Sequence, residues 1–284
     1  MPTGRHIELP GRGTTFYREV TGPEGAPVVI LLHGWTATAD LNFFTCYEEL
    51  GQHFRVIAID HRGHGRGIRS SQPFRLADCA DDVAALADAL NIDTFIPVGY
   101  SMGGTIAQLM WKRHEQRVSG LVLAATSGHF ASSRRERTAF HTMGAIGAVS
   151  RIAPKSLRDS LSDRLYLSRK TLTWEPWAAE QAGAHEWRHI LEAGATLGNY
   201  DSRSWLPHIN VPTAVIMTTA DQVVHPGRQQ KMVDLLNNPT VYRIDANHDA
   251  VFARASEFVP LLINACNTVS TQSVDTRNTI DEVS

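Results

Sequence analysis

The sequence predicts an α/β protein, a mainly parallel sheet wound with helices on both faces and interrupted by one helical cap. Three observations predict it. Short, mainly apolar runs of strand length recur along the chain, and stretches with apolar residues every three or four positions lie between them. Between about Phe130 and Leu206 that alternation stops. A strand apolar on both sides suits a sheet covered on both faces, and strand-helix alternation is the pattern of parallel sheets.

Taken in order, His6–Leu9 and Thr14–Val20 read as an antiparallel hairpin across Gly11 and Gly13. Val28–Leu32, Arg55–Ile59, Phe95–Val98, Gly120–Ala124, Ala214–Met217 and Val241–Ile244 read as core strands. From Leu76 to Leu90, the residues Leu76, Cys79, Val83, Leu86 and Leu90 fall on one stripe of a helix. Met102 to Trp111 is small and apolar nearly all round, as a helix buried against a sheet would be. Pro97 is in tension with its strand, since it has no N–H for the ladder. The expected division is a core domain over 1–129 and 207–266, a helical cap over 130–206, and a polar tail over 267–284. The cap carries four of the six tryptophans, and the tail, rich in Ser, Thr, Asn and Asp, is expected to be extended or mobile.

Composition narrows the classes of function. The 284 residues are 43% hydrophobic and 20% charged, which excludes global disorder and collagen. Lys and Arg number 27 against 29 Asp and Glu, so nucleic acid and membrane are not expected as partners. Cys46, Cys79 and Cys266 are widely spaced with no C-x-x-C, and read as reduced core thiols. The opening residues are polar and broken by Pro and Gly, unlike a signal peptide, and no apolar run approaches membrane-spanning length. A cytoplasmic protein is the expectation.

Gly99-Tyr100-Ser101-Met102-Gly103 matches G-x-S-x-G, a weak signal by itself. Its position strengthens it, because an apolar strand ends at Gly99 and a helix begins straight after Ser101. A turn this sharp exposes the serine Oγ, and glycines flank it because side chains there would clash with strand and helix. A nucleophilic serine needs donors for the oxyanion formed on attack. The Met102 amide at the helix N-terminus is one candidate. The Trp35 amide is the other, since His33-Gly34-Trp35 directly follows the first core strand. His33 itself reads as a loop-ordering residue. Asp221 and His248 each lie just past a strand, and strand ends on one edge of a parallel sheet converge in space. Asp245 and Asp249 are rival acids and His225 a rival base. All three read better as local turn or helix-start residues.

HGW at 33–35, DHRGHGRG at 60–67, GYSMGG at 99–104, TTADQVV at 218–224 and NH at 247–248 resemble the α/β-hydrolase fold family. Within it, the chain looks most like the carboxylesterase, enol-lactonase and cofactor-free perhydrolase branch. The resemblance implies Ser101 as nucleophile, His248 as base, Asp221 as acid, and the Trp35 and Met102 amides as the oxyanion hole. It implies cleavage of a carboxylic ester, thioester or lactone of a small-molecule acyl substrate, with no metal or organic cofactor. The alternatives are C–C bond hydrolysis or perhydrolysis on the same triad, or a non-catalytic ligand receptor. Some relatives place the acid after the strand before the cap, but Thr126-Ser127-Gly128 offers no carboxylate there. Asn247 stands where the family usually has Gly, and Asn tolerates a left-handed backbone.

His185-Glu186-Trp187-Arg188-His189 is a literal H-E-x-x-H, the zinc-protease helix signature. Glu192 stands where the extended form needs Gly, and no glutamate occurs between Glu192 and Glu257 to serve as a third ligand. It therefore reads as part of a cap helix. Asp60, Arg62 and His64 read as a loop-bracing cluster. Trp174, Trp177, Trp187 and Trp205 could line an apolar substrate pocket or fill the cap core; core is the better reading for each, and Trp174, Trp177 and Trp187 are kept as candidates for the pocket wall.

Overall fold

The structure is a computed structural model describing residues 1–152 and 175–281. Its strands are β1 (Gly4–Leu9), β2 (Gly13–Val20), β3 (Val28–Leu32), β4 (Arg55–Ile59), β5 (Ile96–Tyr100), β6 (Leu121–Ala124), β7 (Thr213–Thr218) and β8 (Thr240–Ile244). They form one sheet in the order β1-β2-β4-β3-β5-β6-β7-β8. The β1–β2 and β2–β4 pairs are antiparallel and all the others parallel, as the hairpin and the alternation predict. The described helices are α1 (Ala39–Phe43), α2 (Tyr47–Gly51), α3 (Leu76–Ala89), α4 (Met102–His114), α5 (Arg134–Ile152), α6 (Pro176–Gly183), α7 (Trp187–Asn199), α8 (Pro226–Leu235), α9 (Ala250–Ala253) and α10 (Ala255–Asp281).

Both sheet faces are covered over the central strands, which is why β3 and β6 are apolar throughout. Along β3, Ile30 and Leu32 enter a core shared with Cys79, Val83 and Leu86 of α3, Ile106 and Met110 of α4, and Met232 of α8. Val29 and Leu31 point the other way, into a core with Leu50 of α2 and Phe258, Leu262 and Cys266 of α10. All three cysteines are buried free thiols, and burial pushes the Cys46 thiol up to about 12.

Pro97 is accommodated by a gap in the ladder. Phe95 bridges Val118, and β5–β6 pairing begins only at Val98↔Val122, so Pro97 lies between the two. The expected extended tail is corrected: Asn267–Asp281 continues α10 as helix. Polar composition hid the reason. Leu262, Ala265, Cys266 and Val269 recur at helical spacing and are all buried. Val269 also fills the space beside Gly120, where a Cβ would lie 2.1 Å from its Cγ1.

The cap is helical where described, with α5, α6 and α7 between β6 and β7. Trp35 Nε1 donates to Ile190 O at 2.8 Å, and Glu192 Oε2 accepts the Phe74 amide at 2.8 Å, so α7 is fastened to two core loops. Among the described residues no helix is long and apolar enough to cross a membrane.

Candidate active site

Parallel strands deliver their C-terminal ends to one edge, and the chemistry-bearing residues collect there. Trp35 follows β3, Ser101 follows β5, Asp221 follows β7 and His248 follows β8. Ser101 has φ 56° and ψ −118°, a backbone that non-glycine residues adopt only when their surroundings impose it. The imposing contacts are visible. A Cβ on Gly99 would lie 2.3 Å from Gly103 O, and one on Gly103 would lie 1.8 Å from Leu32 O. Strand, turn and helix can close this tightly only with glycine at both positions. Thr126 Oγ1 donates to Ser101 O at 2.7 Å and locks the turn.

His248 Nε2 lies 2.9 Å from Ser101 Oγ, and His248 Nδ1 lies 2.7 Å from Asp221 Oδ2. Asp221 is nearly inaccessible and fully engaged. Its Oδ1 accepts the Val223 and Val224 amides at 2.8 Å each, and its Oδ2 also accepts Thr218 Oγ1 at 2.7 Å. Burial disfavours its charge, but the hydrogen bond and charge of His248, with Thr218 and the Val224 amide, outweigh it and hold the carboxyl below its ordinary value. An ionised Asp221 can thus fix the imidazole with Nδ1 protonated and Nε2 free to accept from Ser101.

None of the rivals is part of this hydrogen-bonded chain. Asp245 is exposed, with Thr219 Oγ1 3.3 Å away, and Asp249 is also exposed. His225 caps α8, its Nδ1 accepting the Gly227 amide at 3.1 Å. Met102 is the first residue of α4, so its amide has no intrahelical acceptor. Gly34 comes close enough for a Cβ to lie 3.3 Å from Ser101 Cβ, bringing the Trp35 backbone beside the serine. His33 braces this loop: Nδ1 donates to Gly34 O at 2.8 Å and Nε2 accepts the His61 amide at 2.9 Å.

Two chambers meet at Ser101, with Trp35 and Val223 in the wall of both. The larger, about 570 Å³, is bounded by Leu41, Phe44, Trp177, His248, Asp249 and Phe252 among others. The smaller, about 230 Å³, is bounded by Phe130, Phe140, Met143, Leu197, Glu136 and Arg228 among others. Trp177 is therefore in a chamber wall, its ring edge-on to Phe44 with centroids 5.4 Å apart. Trp187 takes the core role and not the pocket-wall one. It is buried in the cap with its ring 6.0 Å from that of His185, and it lines neither chamber. Trp174 lies outside the described residues.

Sequence reasoning missed several supports. Tyr100 Oη donates to His248 O at 2.8 Å. Asn247 Oδ1 accepts the Gln222 and His248 amides at 2.9 and 2.8 Å, tying the acid loop to the base loop. Asn247 is not left-handed, so this clamp, and not backbone tolerance, accounts for the residue. The H-E-x-x-H histidines fasten the cap. His185 Nδ1 accepts the Gly65 amide at 3.0 Å and Nε2 donates to Thr36 O at 3.2 Å, while His189 Nε2 lies 2.9 Å from Arg188 Nη2 and 3.1 Å from Gln72 O. His185 precedes α7, which begins at Trp187, so the two histidines do not share the helical face the motif needs.

A serine on a strand-to-helix elbow, hydrogen-bonded in series to a histidine and an aspartate from later strand ends, defines the class of α/β hydrolases. The chain belongs to the alpha/beta hydrolase fold family, whose sequence model matches residues 27–255. A protein of Yersinia enterocolitica serotype O:8 / biotype 1B, provisionally named a carbamate hydrolase, is 34% identical over 196 residues, covering 66% of this chain and 68% of its own. The pimeloyl-[acyl-carrier protein] methyl ester esterase of Chromobacterium violaceum is 28% identical over 246 residues, covering 83% of this chain and 92% of its own. In fold, the enol-lactonase from Burkholderia xenovorans LB400 superposes with a TM-score of 0.73 at 22% identity, over 92% of this chain and 98% of that one.

Proposed function

We propose that the protein is a serine hydrolase that cleaves a carboxylic ester, thioester or lactone through an acyl-enzyme. The observation that carries this reading is the continuous hydrogen-bonded chain Ser101–His248–Asp221, opening into two chambers. In the proposed reaction Ser101 Oγ attacks the carbonyl carbon while His248 Nε2 takes its proton. The Trp35 and Met102 amides stabilise the oxyanion, and Asp221 stabilises the imidazolium. Collapse breaks the bond to the leaving group, which receives the proton from His248. Water, deprotonated by the same imidazole, then attacks the acyl-serine and releases the acid. None of these steps needs a metal or organic cofactor.

The reading extends to orientation. The leaving group must sit within reach of His248 Nε2, and His248 borders the larger chamber only. The alcohol, thiol or lactone oxygen side is therefore assigned to the larger chamber, and the acyl group to the smaller one. Names of relatives support ester-type substrates, since one is an esterase of an acyl-carrier methyl ester and a structural neighbour is a lactonase. The test is hydrolysis of a panel of 4-nitrophenyl esters, thioesters and lactones by wild type and Ser101→Ala. Turnover in the wild type, lost by several orders of magnitude in the variant, is expected. Full activity in Ser101→Ala would overturn the reading.

A further inference from the structure

The smaller chamber contains two charged side chains, and they are paired with each other. Arg228 Nη2 donates to Glu136 Oε1 at 2.5 Å, and Arg228 Nη1 donates to Phe130 O at 2.8 Å. Each partner is held by a different part of the fold. Arg228 belongs to α8 of the core and Glu136 to the first turn of the cap helix α5. Glu136 Oε2 accepts the Ser132 and Ser133 amides at 2.9 and 3.0 Å, while Ser133 Oγ accepts the Glu136 amide at 3.1 Å. This reciprocal arrangement is a capping box, so the carboxylate is fixed by the helix it caps. Apart from Ser101, the rest of the wall, including Phe130, Phe140, Met143 and Leu197, is apolar.

An arginine alone in such a wall would attract an acyl group ending in a carboxylate, because guanidinium and carboxylate pair through charge-assisted, bidentate hydrogen bonds. With Glu136 in place the guanidinium is already neutralised, and an incoming carboxylate meets a like charge in a chamber of about 230 Å³. The Arg228 hydrogen bond, with the Ser133 and Ser132 amides, holds the Glu136 carboxyl down to about 2, so it keeps its charge at any working pH.

We infer that the Arg228–Glu136 pair is a specificity determinant that reserves the acyl chamber for uncharged acyl groups and rejects those ending in a carboxylate. This rests on the assignment of the smaller chamber to the acyl group. It also makes the cap part of substrate choice by charge, since the rejecting group is on α5 and its counter-ion is on the core.

The test compares 4-nitrophenyl butyrate with the 4-nitrophenyl monoester of glutaric acid on the full chain. The two acyl groups differ only by the terminal carboxylate, and the leaving group is the same. Wild type should strongly prefer the butyrate. Glu136→Gln keeps an amide oxygen for the capping box but removes the charge. It should raise kcat/KM for the glutarate relative to the butyrate by about tenfold or more, the size of one charge-assisted hydrogen bond. Glu136→Gln combined with Arg228→Gln should lose that gain, and Arg228→Gln alone should lower the ratio below wild type. An unchanged ratio in folded Glu136→Gln that still labels Ser101 with a fluorophosphonate would overturn the inference. So would a gain that persists in the double variant, which would mean only a looser chamber. Wild type that neither turns over butyrate nor labels would instead overturn the hydrolase reading, and this inference with it.

Discussion

Mild acid should destabilise the protein before its carboxylates titrate, because three histidines are buried behind the Trp35 loop. The His33 ring is tilted against those of His61 and His64, with ring centroids 4.4 and 5.3 Å away, and none of the three is more than 1% exposed. Burial pushes His33 down to about 3, and it pushes His61 and His64 well below their ordinary value too, with the neighbouring rings adding to the shift. In the unfolded chain each titrates near 6.5, so the unfolded state takes up protons first as pH falls. The stability they confer is complete above about pH 6.5 and declines below it. For His33 alone, moving from pH 7 to pH 5 costs about 2 kcal/mol. His61 and His64 act in the same direction, against a total stability of roughly 5–15 kcal/mol for a typical domain. Asp60, raised by burial, gains stability as pH falls and softens the slope, whereas the depressed carboxyls of Asp40 and Asp221 act only at lower pH. The assay is urea unfolding at fixed ionic strength over this pH range. His61→Phe isolates the effect, because neither ring nitrogen of His61 has a hydrogen-bond partner among the described residues. The variant should show a slope shallower by one proton. Stability that stays level from about pH 7 to 5, or an unaltered slope in His61→Phe, would refute the reasoning.

Other outcomes follow from the same geometry. Asp221→Asn should fold normally and lose roughly 10⁴-fold in kcat by favouring the wrong imidazole tautomer, whereas Asn at 245 or 249 should cost little in the same ester assay. Trp177→Ala should alter kcat/KM across a series of alcohol leaving groups more than across acyl chain lengths, and Phe140→Ala should do the reverse. Gly103→Ala should lower thermal stability and yield of folded protein, because its Cβ would meet the Leu32 carbonyl oxygen, which as backbone cannot move aside.

Much of this architecture was legible in the chain because it follows local rules. Runs such as Val28–Leu32 announce strands covered on both faces, and a G-x-S-x-G placed between strand and helix announces the elbow at Ser101. Asp221 and His248 could be preferred to Asp245, Asp249 and His225 because each lies just past the end of a different parallel strand, whereas the rivals read as local turn or helix-start residues. What stayed hidden depends on contacts distant in sequence. The Arg228–Glu136 pair joins residues 92 apart, and the Trp35–Ile190 bond joins residues 155 apart, with no local pattern to signal either. Trp187 could not be sorted from Trp177 because composition does not say which face of a cap helix looks inward. The continuation of α10 was readable in the spacing of Leu262, Cys266 and Val269, but polar composition outweighed that periodicity.

The central claim is that Ser101 is activated by His248 and forms the acyl-enzyme. Intact-protein mass spectrometry after brief incubation with a fluorophosphonate, followed by peptide mapping, tests it most directly. The account predicts a single adduct on the peptide containing Ser101, absent in Ser101→Ala and formed far more slowly in His248→Ala. An adduct on any other residue, or labelling of Ser101 that is indifferent to His248, would contradict it.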